Sequence, residues 1–335
     1  MKPATSNMRF EGGIFLRLFD MHCDTLYECF QKRDGLKENR HHVDLRRGLR
    51  FDAWAQVFAV WLPDTLGGEA ALDTCCALLD YGHRQIEANA DAMRLIQKGG
   101  DLEETPAAPV CQAIFSVEGG AMLAGRLESI EKLRDRDVKI ITLTWNGSNE
   151  LGHGCASGCE EGLTAFGKEA VRRMESAGIL PDVSHLNERG FWDVAQTAKG
   201  PFIASHSVSA SIYPHARNLK DEQFAAIRQA GGLVGLNVCA SQLGAQTFEQ
   251  LERHFYHYLS LGGERVVAFG CDFDGTDVPE DWQGVAVMER LYAYFLQKGY
   301  AEDCLERLFY RNAFEFLDVY KRQGPALASA SPRGL

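Results

Sequence analysis

The chain has 335 residues, of which 45% are hydrophobic and 24% are charged, a composition typical of a globular protein that buries a large core. Its formal net charge of -11 gives no basic surface that could follow a phosphate backbone, which excludes nucleic acid as a partner and favours a small-molecule substrate. We find no apolar run of the roughly 18 residues that a membrane span needs and no segment resembling a signal peptide, so we expect a cytoplasmic protein with no membrane partner.

Eight short runs rich in β-branched or aromatic residues alternate with helical patterns, as expected of repeated βα units. The predicted strands are Phe15–Met21, Ala55–Trp61, Ala113–Val117, Lys139–Thr144, Ile179–Val183, Phe202–Ser205, Leu233–Val238 and Val266–Cys271. The predicted outer helices are Ala70–Gln97, Ala165–Ala177, Glu188–Thr197, Asp221–Gln229 and Thr247–Ser260. Eight such strands in one chain predict an α/β fold, a (β/α)8 TIM barrel.

No linker or repeat divides the chain, so residues 1–317 are predicted to form a single barrel domain. Residues 318–335 have no apolar period and are predicted to be a disordered or non-native tail. The ten cysteines are scattered, and we expect them to be reduced. Cys155 and Cys159 have the spacing CxxxC, but no second Cys or His pair lies nearby in sequence, so we interpret them as loop thiols rather than as a metal knuckle.

Polar residues stand where the predicted strands end, and in a TIM barrel these ends gather at the active face. The residues in question are His22, Asp24, Glu118, His185, His206, Asp272 and Asp274. A single His or Asp at such a position is more often a structural residue or a helix cap. Several carboxylates and imidazoles at one barrel mouth, however, are costly to bury without a cation, which favours a metal site.

The spacing predicts how two cations would be shared. His22 and Asp24 lie two residues apart, so both side chains can meet one ion. His185 and His206 could hold a second ion, and Glu118 could offer one oxygen to each. Two divalent ions about 3.5–4 Å apart would polarise a carbonyl and acidify a bridging water.

The other histidines are interpreted differently. Surface positions are predicted for His41, His42, His83, His254 and His257, which lie in polar loops or helical patterns. His153 and His215 follow predicted strands and therefore lie near the predicted mouth.

In chain order, the strand-end motifs resemble those of the renal (membrane) dipeptidase family, zinc metallopeptidases of the amidohydrolase superfamily. The motifs are FDMHCDTL, FSVEGG, ITLTWNGSNELG, GLTAFGKE, DVSHLNERGFWDV, PFIASHS, HARNLKDEQ and VAFGCDFDG. Each motif alone is weak evidence, but their order, one at each strand end, is specific.

The resemblance implies a metal-dependent hydrolase barrel with two Zn²⁺ per chain. It places His22 and Asp24 on one zinc and His185 and His206 on the other, with Glu118 between the two. Of the two aspartates near the last strand, it points to Asp272 as the catalytic acid/base.

The resemblance also places Arg217 where the family holds the substrate's terminal carboxylate, and a planar guanidinium is suited to that task. The alternative is a surface Arg217 paired with Asp221 or Glu222. Trp145 stands where the best-known animal members have a histidine thought to stabilise the oxyanion, and Cys239 stands near one of their pocket tyrosines. Asn146 or His153 could supply the missing hydrogen bond.

These residues predict a zinc dipeptidase, in which a metal-bridging hydroxide attacks the peptide bond of a dipeptide and Asp272 transfers the proton. L-L dipeptides are the expected substrates, and the sequence leaves open whether L-D dipeptides are also cleaved. A homodimer is one candidate assembly, since relatives are often dimers, but no surface pattern in the sequence identifies an interface. One alternative is a binuclear amidohydrolase acting on another small or cyclic amide, and a second is an inactive barrel scaffold. HxD in place of HxH, together with Arg217, argues against the first, and the complete ligand set argues against the second. No GxSxG or HExxH motif is present.

Overall fold

A computed structural model describes residues 16–97, 101–282 and 284–323. Its strands are β1 (Arg17–Cys23), β2 (Ala53–Trp61), β3 (Met93–Leu95), β4 (Cys111–Glu118), β5 (Val138–Thr142), β6 (Leu180–Asp182), β7 (Val234–Leu236) and β8 (Val267–Phe269). All pairings between these strands are parallel, in the order β6-β5-β4-β2-β1-β8-β7, and β3 pairs with the start of β4. Seven of the eight predicted strands are thereby confirmed, with small shifts at their ends.

The remaining gap between β6 and β7 is filled by residues 203–204. Ile203 forms a parallel bridge to Asp182 of β6, and Ala204 forms one to Val234 of β7. These contacts close the parallel strands into the predicted (β/α)8 barrel. The prediction of a regular strand over Phe202–Ser205 was wrong, because the amide of Ser205 donates to the Asp182 side chain, at 2.9 Å, rather than to a neighbouring strand.

The helices are α1 (Thr25–Lys32), α2 (Leu45–Gly48), α3 (Gly68–Ala88), α4 (Glu128–Arg134), α5 (Ala165–Ala177), α6 (Glu188–Thr197), α7 (Asp221–Gln229), α8 (Ala240–Leu243), α9 (Phe248–Ser260), α10 (Val287–Gln297), α11 (Glu302–Glu306) and α12 (Asn312–Gln323). Short 3-10 turns cover Gly120–Leu123 and Glu280–Trp282, and a π-helical turn covers Arg307–Arg311. None of the helices in this described part of the chain is long and apolar enough to cross a bilayer.

The predicted helix Ala70–Gln97 was too long. Helix α3 ends at Ala88, where the side-chain amide of Asn89 donates to the carbonyl of Gln85 at 2.7 Å. A turn follows, and β3 then extends the sheet beside β4. The helical period of the apolar residues continues past this point, so periodicity alone did not reveal the change to a strand.

Two apolar cores flank the barrel wall. The larger core lies between the strands and the outer helices. The smaller fills the barrel interior with alternate strand residues such as Phe19, Val57, Ile114 and Ile140, and Leu317 of α12 packs against it. The backbone of α12 crosses the boundary predicted after residue 317, and residues 324–335 lie outside the described part, so the division into domain and tail stays a prediction.

A bulge in β1 places the first site residue. Asp20 and Cys23 align with Gln56 and Phe58 of β2, so three residues in β1 span the distance of two in its neighbour. The extra residue turns His22 to the interior face, which it shares with Glu118 at the end of β4, and the two side chains come within 3.4 Å. The bulge therefore directs His22 into the barrel mouth.

Candidate active site

The carboxyl ends of the barrel strands bring six polar side chains into one buried group at the mouth. They are His22, Asp24, Glu118, His185, His206 and Asp272, each at most 8% exposed. Within this group, three overlapping sets of three residues each place their ligand atoms within 4.8 Å of one another. The strand-end residues gathered from the sequence therefore converge, with the exception of Asp274.

Glu118 stands at the centre of this group. Its Oε1 lies 2.8 Å from Nε2 of His185 and 3.4 Å from Nε2 of His206. Its Oε2 faces the other way, 3.4 Å from Nε2 of His22. The two carboxylate oxygens of Glu118 thus contact different side chains, one facing His185 and His206 and the other facing His22.

The second set surrounds His22. Its Nε2 lies 3.6 Å from Oδ2 of Asp24 and 3.7 Å from Oδ1 of Asp272. Asp24 is the residue before α1, yet its side chain accepts no capping hydrogen bond. Oδ1 of Asp24 and Nε2 of His22 are both buried without a hydrogen-bond partner. A buried polar atom without a partner is costly, and a cation between these atoms would satisfy both.

Hydrogen bonds define the tautomers of the other two imidazoles. The Ser205 hydroxyl donates to Oδ2 of Asp182 at 2.5 Å, so it accepts from Nδ1 of His206, 2.8 Å away. The carbonyl oxygen of Asn146 accepts from Nδ1 of His185 at 3.0 Å. Because each Nδ1 carries the proton, each Nε2 presents a lone pair to the mouth.

These two lone pairs face each other. Nε2 of His185 and Nε2 of His206 are 3.0 Å apart, with Oε1 of Glu118 beside them. Burial lowers the pKa of His185 to about 4 and holds that of His206 well below its usual value, so neither ring carries a second proton at neutral pH. Three acceptors converging on one point repel one another unless a cation lies between them. The side chains therefore fit a divalent metal ion.

The pKa values of the carboxyl groups at the mouth also favour a bound cation. Burial raises the pKa of Asp24 to about 6 and that of Asp272 to about 8. Burial alone would lower the pKa of His22, but the neighbouring charges of Glu118 and Asp24 raise it well above its usual value. Without metal, protons balance the negative charge here, and bound cations would take their place.

Three residues of the mouth adopt left-handed backbone conformations. The φ angles are 69° for His185, 64° for Asp272 and 68° for Asp274. Such a conformation costs about 1–3 kcal/mol for a residue other than glycine, and it is found at functional sites where surrounding contacts enforce it. The carboxylate of Asp274 accepts from Thr25 and from the amide of His42, so its role is to hold this turn.

A cavity of about 660 Å³ opens above this group. Arg217 lines it, and its guanidinium is buried with Nε unpartnered and Nη2 3.4 Å from the carbonyl oxygen of His206. The predicted alternative, a surface Arg217 paired with Asp221 or Glu222, is disfavoured, because Arg217 is only 7% exposed and Asp221 contacts His257 at 2.7 Å. Asn146, Cys239 and the ambiguous residue His215 also line the cavity.

Sequence reasoning missed the aromatic wall of the cavity. Trp61 packs edge-on against both Tyr27 and Trp145, with ring centroids 4.9 Å and 5.0 Å apart. All three rings line the cavity. Trp61 is the last residue of a predicted strand, so its position in the sequence is a usable signal for a residue that faces the barrel mouth.

Several histidines differ from the predictions. His153 does not line the cavity, and its Nδ1 instead contacts the Ser148 hydroxyl at 2.7 Å, which argues against the predicted contact with substrate. The surface position predicted for His254 was wrong, because this side chain is fully buried and accepts from the amide of Ser209 at 3.1 Å. His41 is buried as well. All ten cysteines are free, as expected.

Comparison with known proteins identifies the family. The model of the membrane dipeptidase family, peptidase family M19, matches residues 15–323. The chain belongs to the M19 metallo-dipeptidase family. Membership favours a peptide-bond hydrolase over a cyclic amidohydrolase and over an inactive scaffold.

Individual relatives agree with this family. An uncharacterized Klebsiella pneumoniae protein of the pqqA 5′ region is 31% identical over 240 residues, which cover 68% of this chain and 89% of that protein. A Claviceps purpurea dipeptidase is 25% identical over 340 residues, covering 93% of this M19 chain and 80% of that enzyme. The crystal structure of a Rhodobacter sphaeroides metallopeptidase, liganded with a phosphinate mimic of L-Ala-D-Ala, superposes with a TM-score of 0.84 at 26% identity, covering 91% and 99% of the two chains.

The orientation of His206 yields a prediction for this M19 protein. Ser205→Ala removes the hydroxyl that fixes the tautomer of His206, so we expect metal affinity to fall by about 10–100-fold, measured by competition with a chromophoric chelator. Ser207→Ala is the matched control, because its buried hydroxyl has no partner, and we expect unchanged affinity. Equal affinities for both variants and the wild type would contradict the orienting role.

Proposed function

We propose that this M19 protein is a zinc-dependent dipeptidase that hydrolyses L-L and L-D dipeptides carrying a free terminal carboxylate. The observation that carries the proposal is one cavity that contains both the metal-type cluster and the buried guanidinium of Arg217, whose Nε has no hydrogen-bond partner. A dipeptide presents its scissile carbonyl and its carboxylate a short, fixed distance apart. A site that offers a metal cluster to the scissile carbonyl and a guanidinium to the carboxylate recognises that substrate class.

The proposed metal ligands are His22 and Asp24 on one side, His185 and His206 on the other, and Glu118 between them. Imidazole and carboxylate donors suit Zn²⁺, and the two oxygens of Glu118 face the two sides separately. Two bound zinc ions would polarise the scissile carbonyl and acidify the attacking water. The protein's part is to hold the ligand atoms in place before the substrate arrives.

Asp272 is the proposed proton carrier. It lines the cavity with Oδ1 3.7 Å from Nε2 of His22, beside the place where water would attack. Burial raises its pKa to about 8 in the metal-free chain, and bound cations would lower it towards neutrality. A carboxyl group in that range can take a proton from the water and return it to the leaving amine.

Arg217 is the proposed carboxylate clamp. Its buried cation has no carboxylate partner among the described residues, and a substrate carboxylate would complete the charge pair. Two parallel hydrogen bonds from a guanidinium fix the direction of a carboxylate and thus the distance to the scissile bond. A tripeptide, whose carboxylate lies one residue further away, could not contact Arg217 while its scissile carbonyl faces the metal cluster.

Asn146 is the proposed donor to the developing oxyanion. Its carbonyl oxygen faces His185, so its amide Nδ2 is the group that can donate into the cavity. The aromatic wall of Tyr27, Trp61 and Trp145 favours apolar substrate side chains. Acceptance of a D-residue is supported by the phosphinate mimic of L-Ala-D-Ala bound to the Rhodobacter sphaeroides relative.

The clamp can be tested with two substrates. Arg217→Ala is expected to lower kcat/KM for a dipeptide by about 100-fold or more, since two charge-assisted hydrogen bonds of about 1.5–3 kcal/mol each are lost. The same dipeptide with an amidated terminus should change by less than about tenfold in this comparison. Lys220→Ala is a control, because this cation is exposed and pairs with Glu188. Equal losses for the two substrates would refute the clamp.

The proton carrier and the metal ligands can be separated by a pair of variants. Asp272→Asn keeps the shape and tolerates the left-handed backbone, so we expect bound zinc to remain while kcat falls by about 10²–10⁴-fold. His185→Ala should lose zinc as well as activity. Metal content and single-turnover rates distinguish the two, and an Asp272→Asn enzyme of wild-type rate would remove Asp272 from the mechanism.

A further inference from the structure

A second group of potential ligands lies in the loop between β5 and α5. One ligand atom each from His153, Cys159 and Glu161 lies within 4.8 Å of the others. None of these residues lines the cavity at the barrel mouth. The loop therefore holds a nitrogen, a sulfur and a carboxylate oxygen together at a place that the proposed reaction does not use.

One buried residue anchors all three. The amide of Asn187 donates to the carbonyl of His153 at 3.0 Å. Its side-chain Nδ2 donates to the carbonyls of Cys159 and Glu161 at 2.9 Å and 2.8 Å. Asn187 is itself fixed as the N-cap of α6, where Oδ1 accepts from Gly190 at 2.8 Å. The three backbones thus share one rigid support, which lowers the entropy lost when their side chains meet an ion.

The side chains also have the chemistry of a metal site. The Ser148 hydroxyl contacts Nδ1 of His153 at 2.7 Å, and a hydrogen bond to one ring nitrogen orients a histidine whose other nitrogen binds metal. Tetrahedral zinc bonds of 2.0–2.3 Å put ligand atoms about 3.3–3.8 Å apart. His153 and Cys159 are half-buried and Glu161 is exposed, so small rotations of these side chains would suffice. Sulfur with imidazole favours zinc over calcium or magnesium.

We propose that His153, Cys159 and Glu161 bind one further divalent transition-metal ion of the zinc class, separate from the ions at the barrel mouth. With three protein ligands, a water would complete the tetrahedron. The ion ties His153 to Cys159 and Glu161 within the loop, which Asn187 holds against the start of α6. Cys155 and Ala156 of the same loop line the cavity, and the amide of Cys155 donates to the carbonyl of His185 at 2.7 Å. By holding these parts of the loop together, the bound ion stiffens one wall of the cavity.

The absorption spectrum of bound cobalt(II) can distinguish the proposed loop site from the sites at the barrel mouth. The ligands proposed at the mouth are nitrogen and oxygen atoms only, so a sulfur-to-cobalt charge-transfer band in the near ultraviolet reports a thiolate ligand. Metal-free full-length protein titrated with cobalt chloride should develop this band, and at saturation its intensity should correspond to one thiolate-bound cobalt per chain. Cys159→Ser and His153→Ala should abolish it, while Glu161→Gln should weaken cobalt binding.

Two thiols provide matched controls. Cys155 lies in the same loop and Cys239 lines the cavity, and neither belongs to the group of three. Cys155→Ser and Cys239→Ser should keep the band, with circular dichroism confirming that every variant is folded. Absence of the band in the wild type at excess cobalt would overturn the proposal, as would its persistence in Cys159→Ser. The readout does not depend on dipeptide hydrolysis, so either result leaves the proposed function to its own tests.

Discussion

The crowding of acceptor atoms at the barrel mouth is the constraint on which the rest of the site depends. Nε2 of His185 and Nε2 of His206 face each other at 3.0 Å, and both lie beside a carboxylate oxygen of Glu118. Their hydrogen bonds to Asn146 and Ser205 leave lone pairs on these nitrogens. Such an arrangement is unfavourable in a buried space unless positive charge is present. Bound cations would thus complete the structure of the mouth as well as its chemistry.

The barrel maintains this arrangement through its interior wall. Asp182, fully buried, accepts hydrogen bonds from the Thr142 and Ser205 hydroxyls and from the amides of Ser184 and Ser205. It thereby ties β5, β6 and the segment leading to His206 together. On the other side of that segment, a Cβ added to Gly235 or Gly270 would come within 1.9 Å or 1.8 Å of the Ser205 carbonyl oxygen. The chain before His206 is therefore held closely from both sides.

The parts of the fold predicted best from sequence were those governed by local pattern. Helix α5 matches its predicted range, since Thr164 caps its start and Gly178 its end. The strand ends, and with them Glu118 and Asp272, followed from apolar runs that stop at a polar residue. The choice between Asp272 and Asp274 needed the family resemblance, because spacing treats both alike, and the structure turns Asp274 towards Thr25 and His42.

The remaining features depend on contacts between distant residues. The bulge in β1 and the closure of the barrel through residues 203–204 have no local pattern. The burial of His254 does have one, since it lies on the buried face of α9 with Leu251, Phe255 and Tyr258. The grouping of His153 with Cys159 and Glu161 arises because Asn187, far along the chain, binds their carbonyls. The CxxxC spacing alone predicts loop thiols at Cys155 and Cys159, because it does not show that the loop brings His153 and Glu161 to Cys159.

The proposal that explains the site is that the protein hydrolyses dipeptides with metal ions bound at the barrel mouth. The most direct measurement is hydrolysis by chelator-stripped protein before and after zinc is restored, with L-L and L-D dipeptides and the corresponding tripeptides as substrates. We expect no turnover without metal, recovery with zinc for both kinds of dipeptide, and no cleavage of tripeptides. Turnover that persists in the stripped protein, or zinc-loaded protein that cleaves no dipeptide, would contradict it.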